Sequence, residues 1–221
     1  MTVPVRTRWR LSACRFTCTA ALGASLALAG CGLAPTPGTE AGPTPPEPLP
    51  PPGYGTLGQR EVSLQLNSGP LQLVVTPLHE SVLVVTSPDT YRRLSSLAAP
   101  YDLARREGRV FLVSFYSDLP DVRFVPEEVQ LMSRGVRVRP AAIDPLTPSW
   151  GEGRLRQRET ATAVYTFDRP VELESELVLM YGLEQTDAWS AILPRIQAER
   201  GRARARAGGG HSSSSYFEIF R

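Results

Sequence analysis

From Glu61 onward the chain alternates apolar and polar residues with a period of two. Val62, Leu64 and Leu66 are separated by Ser63 and Gln65, the pattern of a strand with one buried face. Asn67-Ser68-Gly69-Pro70 is a turn, so this strand and residues 71–75 should form a hairpin. Residues 81–86 read as a third strand. Ser87-Pro88-Asp89 then supplies an N-cap, a proline in the first turn and an acid at the positive end of a helix dipole. This predicts a short helix to about Leu97, a turn at Pro100 and a helical turn to Arg106. Residues 109–116 are almost continuously apolar or aromatic, which suits a central strand buried on both faces. Short strands follow at 122–125, 129–132 and 136–138, the last two joined by a turn at Ser133-Arg134-Gly135. Pro145, Pro148, Gly151 and Gly153 make 140–157 read as a long loop, and strands at 160–168 and 177–181 close the set. Strands at this spacing without alternating helices favour an antiparallel sandwich over a parallel α/β sheet.

The pattern changes after residue 183. Trp189, Ile192, Leu193 and Ile196 are spaced as one helical face within an amphipathic, basic segment over 184–207, which Pro194 should break or kink. That face should pack on the sandwich. Arg195, Arg200, Arg202, Arg204 and Arg206 follow, interrupted by Glu199. The run reads either as attraction to anionic lipid, lipopolysaccharide or acidic polymer, or as a solvated helix end with cations at its negative pole. Residues 208–221 are a Gly/Ser-rich tail ending in a strand-like segment, 216–220, that could add to a sheet edge.

At the other end an Ala/Leu-rich stretch, residues 20–29, follows Arg6, Arg8, Arg10 and Arg15 and stops at Leu28-Ala29-Gly30-Cys31. The apolar run is about half the ~20 residues a membrane span needs, and its flanks are those of a secretory signal. With a cysteine directly after the small residues, it resembles the bacterial lipobox. The resemblance implies that residues 1–30 are removed as a signal peptide and that Cys31 becomes a lipidated first residue. Gly32 in place of an aspartate then implies an outer-membrane lipoprotein facing the periplasm or the surface. Residues 31–60 form a proline-rich linker with few apolar side chains. Its proline-dense part, residues 32–53, reads as a semi-rigid polyproline II spacer of up to ~65 Å, or as a disordered leader.

A second resemblance lies within residues 109–182. Residues 111–115, then Phe124-Val125-Pro126-Glu127-Glu128-Val129-Gln130-Leu131, Gly135, and Ala163-Val164-Tyr165-Thr166-Phe167-Asp168-Arg169-Pro170 look like the immunoglobulin-like domains of bacterial envelope lipoproteins. The paired cysteines and strand tryptophan of antibody domains are missing, so the resemblance implies architecture alone and carries over no catalytic residue. The expected fold is mostly β: an immunoglobulin-like antiparallel β-sandwich over residues 61–183, with a short inserted helix and a C-terminal helix.

Charge and chemistry narrow the function. The formal charge is +2, and loss of the four signal-peptide arginines leaves about −2, which removes the basic footprint that nucleic-acid binding needs. Every basic residue is arginine. Cys14 and Cys18 leave with the signal and Cys31 takes the lipid, so no thiol remains for a disulfide or a metal. His79 and His211 are far apart, and His79-Glu80 reads as an ordinary polar pair in an exposed turn. Asp118, Asp121, Glu127 and Glu128 lack calcium-loop spacing. No metal or cofactor is expected. Trp150, in Trp150-Gly151-Glu152-Gly153, is either a recognition tip on a loop or a lid folded onto the core. These readings describe a lipid-anchored envelope protein that binds or scaffolds without catalysis. Its partners are the membrane through the lipid and an envelope protein, glycan or anionic lipid, with Trp150, Arg200, Arg202, Arg204 and Arg206 as recognition residues. The alternative is an envelope hydrolase or carbohydrate-acting enzyme using loop carboxylates near Trp150, which requires two carboxylates converging within ~5–10 Å.

Overall fold

A computed structural model describes residues 47–209. Five antiparallel strands form the larger sheet, in the order β1 (Leu64–Ser68), β2 (Leu71–Pro77), β3 (Val110–Ser117), β9 (Glu159–Phe167) and β7 (Pro140–Pro145). A four-stranded sheet has the order β11 (Glu184–Thr186), β10 (Leu177–Tyr181), β5 (Val129–Ser133) and β6 (Val136–Val138). A short ribbon pairs β4 (Val122–Arg123) with β8 (Arg154–Leu155).

The centre is β3, for the reason its composition implies. Phe111, Val113 and Phe115 alternate onto one face and, with Leu73 and Val75 of β2 and Ala163, Tyr165 and Phe167 of β9, meet Leu131, Leu177 and Leu179 of the smaller sheet in one apolar cluster. Each such large side chain contributes roughly 2 kcal/mol on full burial. The opposite face of β3 carries Val110 and Leu112, which pack with Val164 against Leu94 and Ala98 of α2 (Pro88–Ala98). Farther along, that face turns polar, with the hydroxyls of Ser114 and Thr162 3.1 Å apart. The larger sheet is therefore covered on one side by the smaller sheet and, over part of the other, by helix. The mostly β, antiparallel architecture with an inserted and a C-terminal helix follows the sequence pattern.

Three elements differ from it. Residues 81–86 are not a strand: α1 (Glu80–Leu83) and a turn replace it, capped by His79, whose side chain accepts from the Ser81 amide. Val82, Leu83, Val84 and Val85 are all buried, so the run is apolar on every side and has no period by which helix and strand differ. Residues 140–157 are not a loop but contain β7, a 3-10 turn at Pro148–Glu152 and β8. Pro140 and Pro145 are tolerated because β7 is an edge strand, with a bulge between Pro140 and Ala142. After α3 (Asp102–Arg106) and the sheets, α4 (Trp189–Gly209) runs unbroken through Pro194. Proline there removes only the bond to the Ser190 carbonyl, and Trp189, Ile192 and Ile196 hold the flanking turns in the core.

Candidate functional site

The ordered domain begins earlier than residue 61, inside the proline-rich segment, and α4 is what holds it. The Thr56 amide and hydroxyl both donate to Glu199 Oε1, at 3.1 and 2.8 Å. Leu57 bridges in parallel to Thr86, with its amide 3.1 Å from the Val85 carbonyl and its carbonyl 2.9 Å from the Ser87 amide. Gly55 passes so close that a Cβ there would lie 2.1 Å from the Val85 carbonyl carbon. Residues 47–57 are thus a strap laid against the domain, and the linker as read from sequence is shortened at its C-terminal end.

Glu199 is 1% exposed. Besides Thr56, Arg206 Nη1 donates to its Oε1 at 2.9 Å and Arg202 Nη1 to its Oε2 at 3.2 Å. Burial pushes this carboxyl up, but the hydrogen bonds from Arg206, Thr56 and Arg202 outweigh it and hold it below its ordinary value. Arg204 pairs with Glu47 and donates from Nε to the Pro48 carbonyl at 3.0 Å; Arg206 also donates to the Tyr54 carbonyl. Arg200 donates to the Ser81 carbonyl at 3.0 Å and to Glu174 at 2.7 Å. The four arginines singled out for recognition are not a free basic patch: Arg200, Arg202, Arg204 and Arg206 each have a carboxylate partner. Counting cations along the helix gave no sign of Glu47 and Glu174, which come from distant segments.

Trp150 is likewise not a recognition tip. It is 7% exposed, with ring centroids 5.6 Å from Phe115, 5.3 Å from Phe124 and 5.9 Å from Tyr165. Its ring is folded onto the core among these aromatics. Carboxylates near it are individually engaged: Glu152 with Arg156 at 3.6 Å, Asp121 with Arg154, and Asp144 with the Tyr101 hydroxyl at 2.8 Å.

A cavity of about 570 Å³ lies at the end of the sheets where β3 begins. Four segments build it: the start of α1, residues 106–108, the β5–β6 hairpin, and residues 169–174. Arg106, Arg134 and Arg169 supply cations, and Val136, Val138, Val171 and Leu173 an apolar wall. The backbone is tight here. Gly108 has φ +70°, and a Cβ on it would stand 2.8 Å from the Val171 carbonyl oxygen. Arg134 and Gly135 both have positive φ, 49° and 74°, the two-residue hairpin turn in which asparagine or glycine is usual at the first position.

His79 also borders the cavity, half-buried rather than exposed in a turn. Its Nδ1 accepts from the Ser81 amide at 3.3 Å and lies 2.8 Å from the Ser81 hydroxyl, which therefore donates to it. Burial pushes the imidazole below its ordinary pKa, so it serves as a neutral capping acceptor. Glu174 is held below the carboxylate range by its hydrogen bond from Arg200. Sequence reading missed this site. Its arginines are scattered along the chain, and the one local signal was an arginine in a tight hairpin turn.

Among the described residues no group of three or more His, Cys, Asp or Glu side chains is placed to hold a metal, and no helix is long and apolar enough to cross a membrane. Cys31, the signal peptide of residues 1–30 and the terminal segment 216–220 lie outside the described residues. No family model, no curated protein and no solved structure matches the chain.

Proposed function

We infer that the chain is a lipid-anchored protein of the bacterial cell envelope that acts by binding, through a β-sandwich domain of immunoglobulin-like type. The observation that carries this reading is Leu28-Ala29-Gly30-Cys31 at the end of a short apolar run, followed by the proline-rich segment. Two antiparallel sheets sharing one apolar cluster support the sandwich, and the helical cover over β3 is an elaboration of it. The arginine-rimmed cavity supports binding, since it falls within the ~300–1,000 Å³ typical of ligand sites. With Trp150 in the core, the hydrolase alternative loses the aromatic platform around which its carboxylates were to gather.

Acylation is the decisive test. Grown with an alkyne-tagged fatty acid, cells expressing the wild-type chain should yield a labelled protein in the membrane fraction. Cys31→Ala should be unlabelled and released. A wild-type protein that takes up no label ends the lipid-anchor reading.

A further inference from the structure

We propose that the cavity between residues 106–108, the β5–β6 hairpin and residues 169–174 binds an amphiphile with an anionic head, the head held by Arg134 and Arg169 and the apolar part lying on Val136 and Pro170. The inference rests on the reading of the domain as a binding module and names the ligand chemistry of that site.

Three glutamates also border the cavity, so charge must be followed pair by pair. Glu174 is taken by Arg200 at 2.7 Å and Glu107 by Arg109 at 2.6 Å, and neither of those arginines lines the cavity. Glu172 reaches Arg134 only at 3.9 Å, at the limit of an ion pair. Arg106 pairs with Asp102 at 2.8 Å on an open helix surface, where such a pair is weak and readily exchanged. Arg169 has no ion-pair partner among the described residues. The net result is two neutralised glutamates, one weakly held, and three guanidinium groups with capacity left for the planar, bidentate contacts that carboxylate and phosphate groups offer.

The hairpin backbone positions one of these cations. Arg134 occupies the left-handed region at φ 49°, in the turn between β5 and β6, and that turn sets its side chain at the cavity rim. Open apolar surface distinguishes an amphiphile from a bare anion: Val136 leaves 46% of its surface open and Pro170 is exposed, and both line the cavity.

The test is calorimetric titration of the purified full chain carrying Cys31→Ala, so that acylation and ligand binding are read separately. Probes are n-octyl phosphate, inorganic phosphate and n-octyl glucoside. Octyl phosphate should bind at least about tenfold tighter than either other probe, a difference of one good charge-assisted contact or a buried apolar group. Arg169→Gln and Arg134→Asn should each weaken octyl phosphate about tenfold, and Arg123→Gln, an exposed cation away from the cavity, should not. Arg134→Asn carries its own control, because it relieves the turn and should leave the thermal midpoint unchanged or raised while binding falls. Equal binding of inorganic phosphate would assign the site to a free anion and overturn the proposal. So would equal binding of octyl glucoside, no binding of octyl phosphate, or undiminished affinity in both cavity variants. None of these outcomes touches the acylation of Cys31, which the labelling experiment reads alone.

Discussion

Trp150 and Glu199 are the residues on which most depends, and each reads differently in sequence and in space. A tryptophan followed by glycines has the same local signature whether its ring points outward or inward. What decides it is that Phe115, Phe124 and Tyr165, from three other segments, face the same space. Trp150→Ala should therefore destabilise the domain by about 3–5 kcal/mol. Urea unfolding would show this as a lower midpoint with an unchanged slope; a loss below about 1 kcal/mol would mean the ring is not part of the core. Glu199 was legible only as an interruption in a basic run. Its meaning lies in Thr56 and two arginines, which convert a buried carboxylate into the strap's main acceptor.

At the scale of elements, the sequence was informative wherever burial is one-sided or a strand is flanked by clear turns. β3, β9, β10 and the β5–β6 hairpin fall where alternation and turn residues place them. α1 and β7 do not, because one is buried all round and the other lies at an edge where proline and exposed alanine carry no strand signal. The strap was read as linker because proline content predicts extended backbone correctly but says nothing of what that backbone lies against. Gly55 tests its seating. In Gly55→Ala the new methyl would meet the Val85 carbonyl, which cannot move without disturbing the Leu57 bridge. The strap should lift, and limited proteolysis should cut the variant between residues 47 and 57 while sparing the wild type. Equal protection in both would show that the contact yields.

For the whole molecule, three titrating groups push in the same direction. His79 has a folded pKa below its ordinary 6.5, and Glu174 and Glu199 have folded pKa values below their ordinary 4.5. A group whose pKa is lower folded than unfolded binds more protons when unfolded, so its contribution is complete above the ordinary value and lost as pH falls. The thermal midpoint should hold above pH 6.5, begin to decline below it as His79 becomes charged, and fall more steeply below 4.5. Glu199→Gln should start lower and lose part of the steep phase. A midpoint that is flat from pH 7 to about pH 3 would contradict all three assignments.

The strap's partners also fix how the domain bears mechanical load. A pull entering at Glu47 first meets Arg204, then Arg206 at Tyr54, then Glu199 at Thr56, and then the Leu57 bridge to Thr86, all before it reaches β1. The load path thus runs through three contacts on α4 and then through the backbone bridge to Thr86. The sheets, whose rupture would unfold the domain, stand last in the line.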